Sequence, residues 1–217
     1  MLGALRQLLR RLRPKLDTPA ARAERAFLQA AAGLGAADIA IDCGANVGRY
    51  TEVLARSGAR VYAFEPNPDA FTELRRRMSA YSNVVCLNQA VAAQGGRVCL
   101  YLHENAASDP LHWSTGSSLL AIKGNVDRNC YVEVEAVDFV DFLRALAAPV
   151  ALVKMDIEGA EVALLEHLLD QPQALAAVGR LFAETHEHKI PELRAATGRL
   201  RERIRRDGLA QINLDWQ

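Results

Sequence analysis

The sequence predicts an α/β fold in which a mostly parallel, doubly wound sheet carries helices on both faces. From residue 38 onward, short apolar segments alternate with amphipathic segments of helical length, a pattern typical of parallel strands joined by crossover helices. Residues 90–137 depart from that alternation, which indicates an antiparallel insertion between the third and fourth strands. The 217 residues, 50% hydrophobic and 24% charged, suffice for one domain with a sizeable core and exclude a disordered chain.

The predicted elements follow one another in regular order along the chain. We predict strands at residues 39–41, 61–64, 84–87, 150–155, 181–184 and 210–216. We predict helices at residues 49–57, 68–80, 160–169 and 191–207. Pro68 suits the first turn of its helix, and Gly208 ends the last helix.

The inserted segment has a pattern of its own. Apolar residues alternate at positions 98, 100 and 102 and again at 132, 134 and 136, as they do in antiparallel strands. Residues 103–125 between these strands are polar and rich in glycine, so they are not expected in the core. We expect them to form a loop over the edge or the carboxyl end of the sheet, where functional residues are common.

Residues 1–16 predict a basic amphipathic helix, because leucines recur at helical spacing among five basic residues. We therefore divide the chain into an N-terminal basic helical segment, 1–35, and a domain, 36–217. The helix could pack on the domain, associate with a second subunit or lie on an anionic membrane surface. It lacks the uninterrupted apolar core of a secretory signal, and no stretch is apolar enough to span a membrane. The four cysteines form no C-x-x-C pair, so we expect reduced thiols in a cytoplasmic protein.

The formal net charge is zero, with 26 basic and 26 acidic residues. This balance argues against a generic nucleic-acid-binding protein, which would need an excess of basic residues. The charges are unevenly distributed, because residues 17–188 hold 14 basic and 22 acidic residues, a net charge of −8. Acidic residues at predicted strand ends favour a cationic ligand at that edge of the sheet. They are Asp42, Glu65, Asp156 and Glu184.

A glycine loop follows the first predicted strand. Gly44 and Gly48 would let the backbone approach a ligand, and the next helix would direct free N–H groups towards it. Asp42, at the end of that strand, would repel phosphates but suits a cationic amino group. Glu65 ends the second strand, where the acid of a Rossmann-like fold accepts the hydroxyl groups of a ribose. The loop lacks the G-x-G-x-x-G spacing of NAD(P) sites, so a nucleoside with a cationic tail, such as S-adenosylmethionine (SAM), fits the pattern.

Four motifs stand in order within residues 38–188: IDCGANVGRYT, VYAFEPNP, the serine pair of GSSLL, and LVKMDIEGAE. Together they closely resemble the FkbM-type SAM-dependent methyltransferases. The resemblance implies a Rossmann-like class I methyltransferase fold with SAM as cofactor, in which the glycine loop wraps the methionine portion and Glu65 holds the ribose. For Asn88, a turn at the strand end is the alternative to cofactor binding. The implied cofactor-binding residues are Asp42, Gly44, Asn46, Gly48, Glu65, Pro66, Asn67 and Asn88.

Three charged residues alternate at the end of the fourth predicted strand. Lys154, Asp156 and Glu158 would all lie on one side if the strand continued. Lys154 lies in an apolar run and needs a partner, for which Asp156 or Glu158 is the obvious choice. The group is either a structural ion pair or a set of catalytic side chains that faces the sulfonium and the acceptor, since open α/β sheets bind ligands at this edge.

A second polar group ends the fifth predicted strand, which would lie beside the fourth. A hydroxyl acceptor must lose its proton, and a neutral imidazole or a carboxylate could take it. His186 is the first choice as that base, because the ordinary pKa of histidine lies near neutrality. A polar loop that holds the sheet end together is the alternative, and Glu184 is also a candidate for substrate binding. Asp156 and Glu184, with a neighbour, could instead bind Mg²⁺.

The remaining predictions concern the acceptor and partners. Ser117 and Ser118, in the inserted loop, are predicted to bind the substrate or form a lid, unless their hydroxyls only satisfy turn backbones. We expect O-methylation of a small molecule (a sugar, a polyketide or another secondary metabolite) and no nucleic-acid partner. A non-catalytic SAM-binding scaffold and methylation of a macromolecule are the alternatives. Only one strand follows the last helix, where a methyltransferase sheet would end in an antiparallel hairpin, so a second subunit could cover that edge in a homodimer.

Overall fold

The computed structural model describes residues 17–146 and 148–216. Within them, the strands follow the alternation of the sequence, with bounds that differ from the predicted ones by a few residues. They are β1 (Ile39–Cys43), β2 (Arg60–Phe64), β3 (Val84–Leu87), β4 (Ala90–Ala92), β5 (Gly96–His103), β6 (Val126–Asp138), β7 (Val150–Met155), β8 (Val178–Glu184) and β9 (Ile212–Trp216).

The helices begin at residues that suit a helix N-terminus. Thr18 caps the first helix, where its Oγ1 accepts a hydrogen bond from the N–H of Ala21. Asn67 caps the third, where its Oδ1 accepts from the N–H groups of Asp69 and Ala70. The helices are α1 (Pro19–Ala32), α2 (Arg49–Ala55), α3 (Pro68–Met78), α4 (Phe139–Leu146), α5 (Glu161–Leu169), α6 (Pro172–Ala176) and α7 (Arg194–Arg206), with 3₁₀ turns at His112–Gly116 and Pro191–Leu193.

Six strands form the main sheet in the order β3-β2-β1-β7-β8-β9, and every neighbouring pair is parallel. This is the order of a doubly wound, Rossmann-like sheet, in which the direction of winding reverses between the two central strands. The predicted α/β class is therefore confirmed. At the far edge β9 pairs with β8 in parallel, so within the described residues the antiparallel hairpin of a typical methyltransferase sheet is absent.

The predicted insertion is also confirmed, as a second sheet of three strands in the order β4-β6-β5. β5 and β6 are antiparallel, whereas the short strand β4 pairs with β6 in parallel. Residues 103–125 connect β5 to β6, and we call this connection the lid. One isolated bridge, between Tyr101 and Ser118, ties the lid to β5.

Both faces of the main sheet are covered by helices. On one face, Phe27 of α1 packs against Trp216 of β9 and Phe182 of β8, with ring centroids 4.7 and 5.7 Å apart. On the other face, leucines of α5 are fully buried in the larger part of the core. Helix α1 is thus part of the core, although it falls in the predicted N-terminal segment. The predicted amphipathic helix, residues 1–16, lies outside the described residues.

Three predictions about element bounds are corrected. The fifth strand of the main sheet begins at Val178 rather than at residue 181, and a 3₁₀ turn precedes α7 where one continuous helix was predicted. Strand β7 ends at Met155, so the alternation predicted beyond it does not continue. Glu158 instead adopts a positive φ of 58° in the turn before α5. None of the described helices is long and apolar enough to cross a membrane.

Candidate active site

A cavity, partly open to solvent, lies at the carboxyl end of the main sheet. Ligands of doubly wound sheets bind at this edge. Its lining combines three carboxylates with apolar side chains. The lining residues are Gly44, Asn46, Phe64, Glu65, Pro66, Gln89, Ala90, Val91, Leu100, Ser114, Thr115, Ser117, Ser118, Leu119, Asp156, Ile157 and Glu158.

The glycine loop, residues 44–48, follows β1 and borders the cavity. Gly44 has a φ of 76°, and a Cβ there would lie 1.8 Å from the carbonyl oxygen of Asp156. Only glycine therefore allows β1 to approach the end of β7 so closely. Gly48 has a φ of 86° and packs behind the loop against Leu74. Gly44 and Asn46 line the cavity, whereas Gly48 only shapes the loop.

Glu65 joins the glycine loop to the turn after β2. Its Oε2 accepts a hydrogen bond from the N–H of Asn46 (2.7 Å), and its Oε1 accepts from the N–H of Asn67 (2.9 Å). Burial raises the pKa of Glu65 to about 7, although the two amide hydrogen bonds favour its ionised form. The carboxylate forms part of the cavity wall at the position that the sequence predicted for ribose recognition.

Two of the three asparagines predicted to bind the cofactor, Asn67 and Asn88, support the cavity wall from behind. Asn67 caps α3, and the Nδ2 of Asn88 donates to the carbonyl oxygens of Glu65 (2.8 Å) and Pro66 (3.1 Å). Of these, Glu65 and Pro66 line the cavity, whereas Asn67 and Asn88 do not. Gln89, the next residue along the chain, lines the cavity where Asn88 was predicted to do so.

Asp42 and Lys154 lie behind the glycine loop rather than in the cavity. The Nζ of Lys154 is 3.3 Å from Asp42 Oδ1 and donates a hydrogen bond to the carbonyl oxygen of Gly44 at 2.7 Å. Thr51 Oγ1 donates to the other oxygen of Asp42 at 2.6 Å. Burial opposes the charge on Lys154, but Asp42 and Asp156 outweigh it and raise its pKa. Asp42 is thus the nearest carboxylate to Lys154. Asp156, one of the two partners that the sequence offered, lies next at 3.6 Å, whereas no ion pair with Glu158, the other, is formed within the described residues.

Four side chains meet beside the cavity and form what we call the acidic cluster: Asp156, Glu158, Glu184 and His186. The Nε2 of His186 lies 3.2 Å from Glu158 Oε2, 3.5 Å from Glu184 Oε1 and 3.7 Å from Asp156 Oδ1. The ring is fully buried and does not line the cavity, whereas Asp156 and Glu158 do. The sequence predicted each of these four residues, and the ends of β7 and β8 bring them together.

The carboxylates around His186 change its titration. Burial disfavours the charged ring, but Glu158 and Glu161 outweigh that effect and raise the pKa of His186 to about 10. A raised pKa disfavours the neutral ring that a general base requires. The catalytic role predicted for His186 stays a prediction.

The lid closes over the cavity through side-chain hydrogen bonds. Ser114 Oγ accepts from Asn46 Nδ2 at 3.0 Å, and Ser117 Oγ accepts from Asn67 Nδ2 at 3.2 Å. Ser118 Oγ donates to the carbonyl oxygen of Glu158 at 2.6 Å. The predicted pair, Ser117 and Ser118, thus lines the cavity and binds the lid to the two loops opposite.

Sequence reasoning missed two residues of the lid. Lys123 is 3% exposed, and its Nζ lies 2.5 Å from Glu158 Oε2 and 2.8 Å from the carbonyl oxygen of Gly116. A single lysine in the apolar run L-L-A-I-K could have indicated a buried ion pair, but nothing in the sequence identified its partner. Ser114 carried no signal, because a serine in a polar loop is common.

The fold and the cavity place the protein among Rossmann-like α/β proteins that bind their ligands at the switch point of the sheet. The particular family follows from a family model, the methyltransferase FkbM domain, which matches residues 42–208. The chain belongs to this family, and the resemblance that the four motifs indicated is confirmed. Its fold is the Rossmann-like class I methyltransferase fold.

Two curated proteins are similar to parts of the chain. Hexuronic acid methyltransferase AglP of Haloferax volcanii is 26% identical over 157 residues, 71% of this chain and 59% of that protein. Ribosomal RNA small subunit methyltransferase A of Thermotoga petrophila is 44% identical over 52 residues, 24% of this chain and 20% of that protein. The chain thus spans about three fifths and one fifth of the lengths of these relatives.

Solved structures align with the chain at low similarity. An rRNA methylase from Streptococcus thermophilus aligns with a TM-score of 0.43 and 13% identity over 77% of this chain and 71% of that chain. A methyltransferase from Geobacter sulfurreducens aligns with a TM-score of 0.33 and 14% identity over 77% and 71% of the two chains.

The cavity has the chemistry that SAM, the cofactor implied by the family, requires. Glu65 offers a buried carboxylate that can accept ribose hydroxyl groups. Phe64, Val91 and Leu100 offer apolar surface for a base, and carboxylates border the opposite side, where a cationic group would be favoured. These residues fit the cofactor.

Proposed function

We propose that the protein is a SAM-dependent methyltransferase that acts on a hydroxyl group of a small molecule. One observation carries the proposal: Glu65, Asp156 and Glu158, which follow two different strands, line a single cavity. The first suits a ribose, and the other two suit the cationic end of the cofactor and the acceptor. Membership of the FkbM family supports the methyltransferase activity.

In this proposal the residues of the cavity wall hold the cofactor. Glu65 would accept hydrogen bonds from the ribose hydroxyls, and Gly44 would let the backbone approach the methionine portion. Asp42 and Lys154 would act from behind, since their ion pair and the hydrogen bond to Gly44 keep the loop in place. When bound, SAM supplies a methyl group attached to a positively charged sulfur.

The acidic cluster would serve the acceptor. Asp156 borders both the cavity and the cluster, so its carboxylate can accept a hydrogen bond from the acceptor hydroxyl and orient the oxygen. As that oxygen forms its new bond to carbon, its proton must leave, and the carboxylate of Asp156 would take it. Ser117 and Ser118 would keep the lid closed so that water is excluded.

The acceptor that we propose is a hydroxyl of a sugar or a related metabolite. The curated relative that covers most of the chain is named a hexuronic acid methyltransferase, which supports a sugar. The acidic balance of residues 17–188 does not favour a nucleic acid. A cytoplasmic location, a homodimer and association of residues 1–16 with a membrane or a second copy stay predictions.

Calorimetry with S-adenosylhomocysteine, the product form of the cofactor, tests the proposal. We expect micromolar binding to the intact protein and a strong loss of affinity in Glu65→Ala. Glu73→Ala, which changes a half-buried helix residue paired with the exposed Arg76, is the matched control and should bind normally. No binding to the intact protein would overturn the cofactor assignment, and binding without turnover on any hydroxyl acceptor would leave a non-catalytic scaffold instead.

A further inference from the structure

We propose that Asp156, Glu184 and His186 form a binding site for a divalent transition-metal ion such as Mn²⁺. One ligand atom from each side chain lies within 4.8 Å of the other two. The three residues stand at or just beyond the ends of β7 and β8, which are parallel neighbours in the sheet. Only the catalytic use of such an ion depends on the proposed function, because binding of the ion depends on these side chains alone.

Two of the three ligand atoms are buried without a hydrogen bond. His186 is fully buried, and within the described residues its Nε2 makes no hydrogen bond of acceptable geometry. The same holds for Asp156 Oδ1, whereas Asp156 Oδ2 lies 3.6 Å from the Nζ of Lys154. Buried polar atoms in native proteins are nearly always satisfied by protein, water or an ion. The two unsatisfied atoms lie 3.7 Å apart, and Glu184 Oε1 lies 3.5 Å from the Nε2 of His186.

Another carboxylate stands on the far side of the His186 ring. The Nδ1 of His186 lies 3.1 Å from Oε1 of Glu161, a fully buried residue, although within the described residues Nδ1, like Nε2, makes no hydrogen bond of acceptable geometry. Glu161 is itself held in place, because its two oxygens accept hydrogen bonds from the N–H groups of Ile157 (2.8 Å) and Gly159 (2.9 Å). Histidine ligands of metals usually direct their second nitrogen to such a carboxylate, which is the role that Glu161 would take once an ion bound at Nε2.

The spacing and chemistry of the ligands suit a six-coordinate ion with open positions. His186 Nε2 lies 3.5 Å from Glu184 Oε1 and 3.7 Å from Asp156 Oδ1. Ligands bound at about 2.1 Å stand roughly 3.0–3.4 Å apart, so only small side-chain shifts are needed. An imidazole with two carboxylates favours Mn²⁺ or Fe²⁺ over Mg²⁺ and Ca²⁺, which prefer oxygen ligands throughout. From the sequence, Mg²⁺ held by the two carboxylates and an unidentified neighbour was only an alternative to a site without a metal.

The two lysines near the proposed ligands, Lys123 and Lys189, do not occupy the position of the ion. Glu158 comes close to His186, but Lys123 already holds the same oxygen at 2.5 Å. Lys189, 3.6 Å from Glu184 Oε1, has a side chain that is 42% exposed and can turn towards solvent. The ion would replace the proton at Nε2. Because Asp156 also lines the cavity, an open position of the ion would face the acceptor oxygen and favour its deprotonated form.

Titration of the chelator-treated full-length protein with MnCl₂, followed by the paramagnetic resonance signal of free Mn²⁺, tests the proposal. We expect one bound ion per chain. Glu184→Gln should weaken that binding by at least about tenfold, because it replaces a ligand. Glu187→Gln is the matched control, since this neighbour of His186 contacts Arg201 instead, and it should bind within about twofold of the wild type. His186→Asn, checked for folding by thermal unfolding, should also lose the ion.

The outcomes separate this site from the proposed function. Binding of S-adenosylhomocysteine in the presence of a chelator tests the cofactor site by itself. If S-adenosylhomocysteine binds and Mn²⁺ does not bind in a one-to-one ratio, the metal site is wrong and the methyltransferase proposal is unaffected. Stoichiometric Mn²⁺ binding that Glu184→Gln leaves unchanged would also overturn the site. Mn²⁺ binding that Glu184→Gln and His186→Asn abolish supports it, whatever the result with S-adenosylhomocysteine.

Discussion

Asp42 and Lys154 are register partners on β1 and β7, and their charged groups lie 3.3 Å apart with both side chains almost fully buried. Lys154 also donates to the carbonyl oxygen of Gly44, so one buried ion pair fixes the backbone of the glycine loop from behind. A single substitution here would leave the partner's charge buried and uncompensated. The pair therefore connects the stability of the fold to the shape of the cavity.

We predict that Lys154→Met lowers the free energy of unfolding by about 3–5 kcal/mol, as expected when one partner of a buried pair is removed. Urea unfolding measures the change. Arg97→Met, which removes an exposed ion pair with Glu133, should cost less than about 1 kcal/mol. The double variant Asp42→Asn, Lys154→Met should recover much of the loss. Equal losses in Lys154→Met and Arg97→Met would contradict the role given to the pair.

The raised pKa of Glu65 predicts a specific dependence of stability on pH. The folded protein keeps the proton of this carboxyl up to a pH of about 7, whereas an unfolded chain loses it near 4.5. The stabilising contribution is complete below pH 4.5 and is lost as the pH rises to 7, on the order of 3 kcal/mol in total. Subtracting the unfolding free energy of Glu65→Gln from that of the wild type at each pH isolates the effect. A difference that does not change between pH 4.5 and 7 would refute it.

Gly44→Ala adds only one methyl group, but it should disrupt the site strongly. The added Cβ would overlap the carbonyl oxygen of Asp156, and the backbone there has a φ of 76°. We expect a loss of at least about 2 kcal/mol in unfolding free energy and a loss of S-adenosylhomocysteine binding. Gly198→Ala is the control, because nothing lies within 4 Å of its Cβ and a helical glycine gains about 0.5–1 kcal/mol from alanine. A Gly44→Ala protein as stable as the wild type would mean that the two strands can separate there at little cost.

Lys123 is predicted to hold the lid closed. Lys123→Met removes the contacts of its Nζ to Glu158 and Gly116. A charge-assisted hydrogen bond contributes about 1.5–3 kcal/mol, so its loss should lower the free energy of opening the lid by a similar amount. Amide hydrogen exchange in residues 103–125 should therefore become at least about tenfold faster. Lys189→Met, which removes an exposed lysine 4.0 Å from the same carboxylate, should leave this exchange unchanged. Exchange at the wild-type rate in Lys123→Met would show that other contacts close the lid.

Much of the fold could be predicted because it depends on local patterns. The strands of the main sheet are short apolar runs, and each is followed by a segment of helical periodicity, so their type and order could be read along the chain. The parallel pairing of β9 could not be predicted, because a final strand of this kind is equally compatible with a hairpin whose partner comes from elsewhere.

Residues at strand ends were identified as a site, but their individual positions were not. Glu65, Asp156 and Glu158 line the cavity, whereas Asp42, Lys154 and His186 lie behind it, although all six stand near carboxyl ends of strands. The direction in which a side chain points after a strand ends depends on turns such as the positive φ of Glu158, and sequence periodicity does not extend into such turns.

The sequence by itself determined the α/β class, the family motifs and the edge of the sheet at which charged residues collect, because each of these follows from local order along the chain. Only the tertiary structure decided which of those residues face the cavity, that Lys123 of the lid pairs with Glu158, and that His186 lies among four carboxylates. Contacts such as that between Lys123 and Glu158 join residues far apart in the chain. They depend on how β7, β8 and the lid pack together, and no pattern within a single segment records that packing.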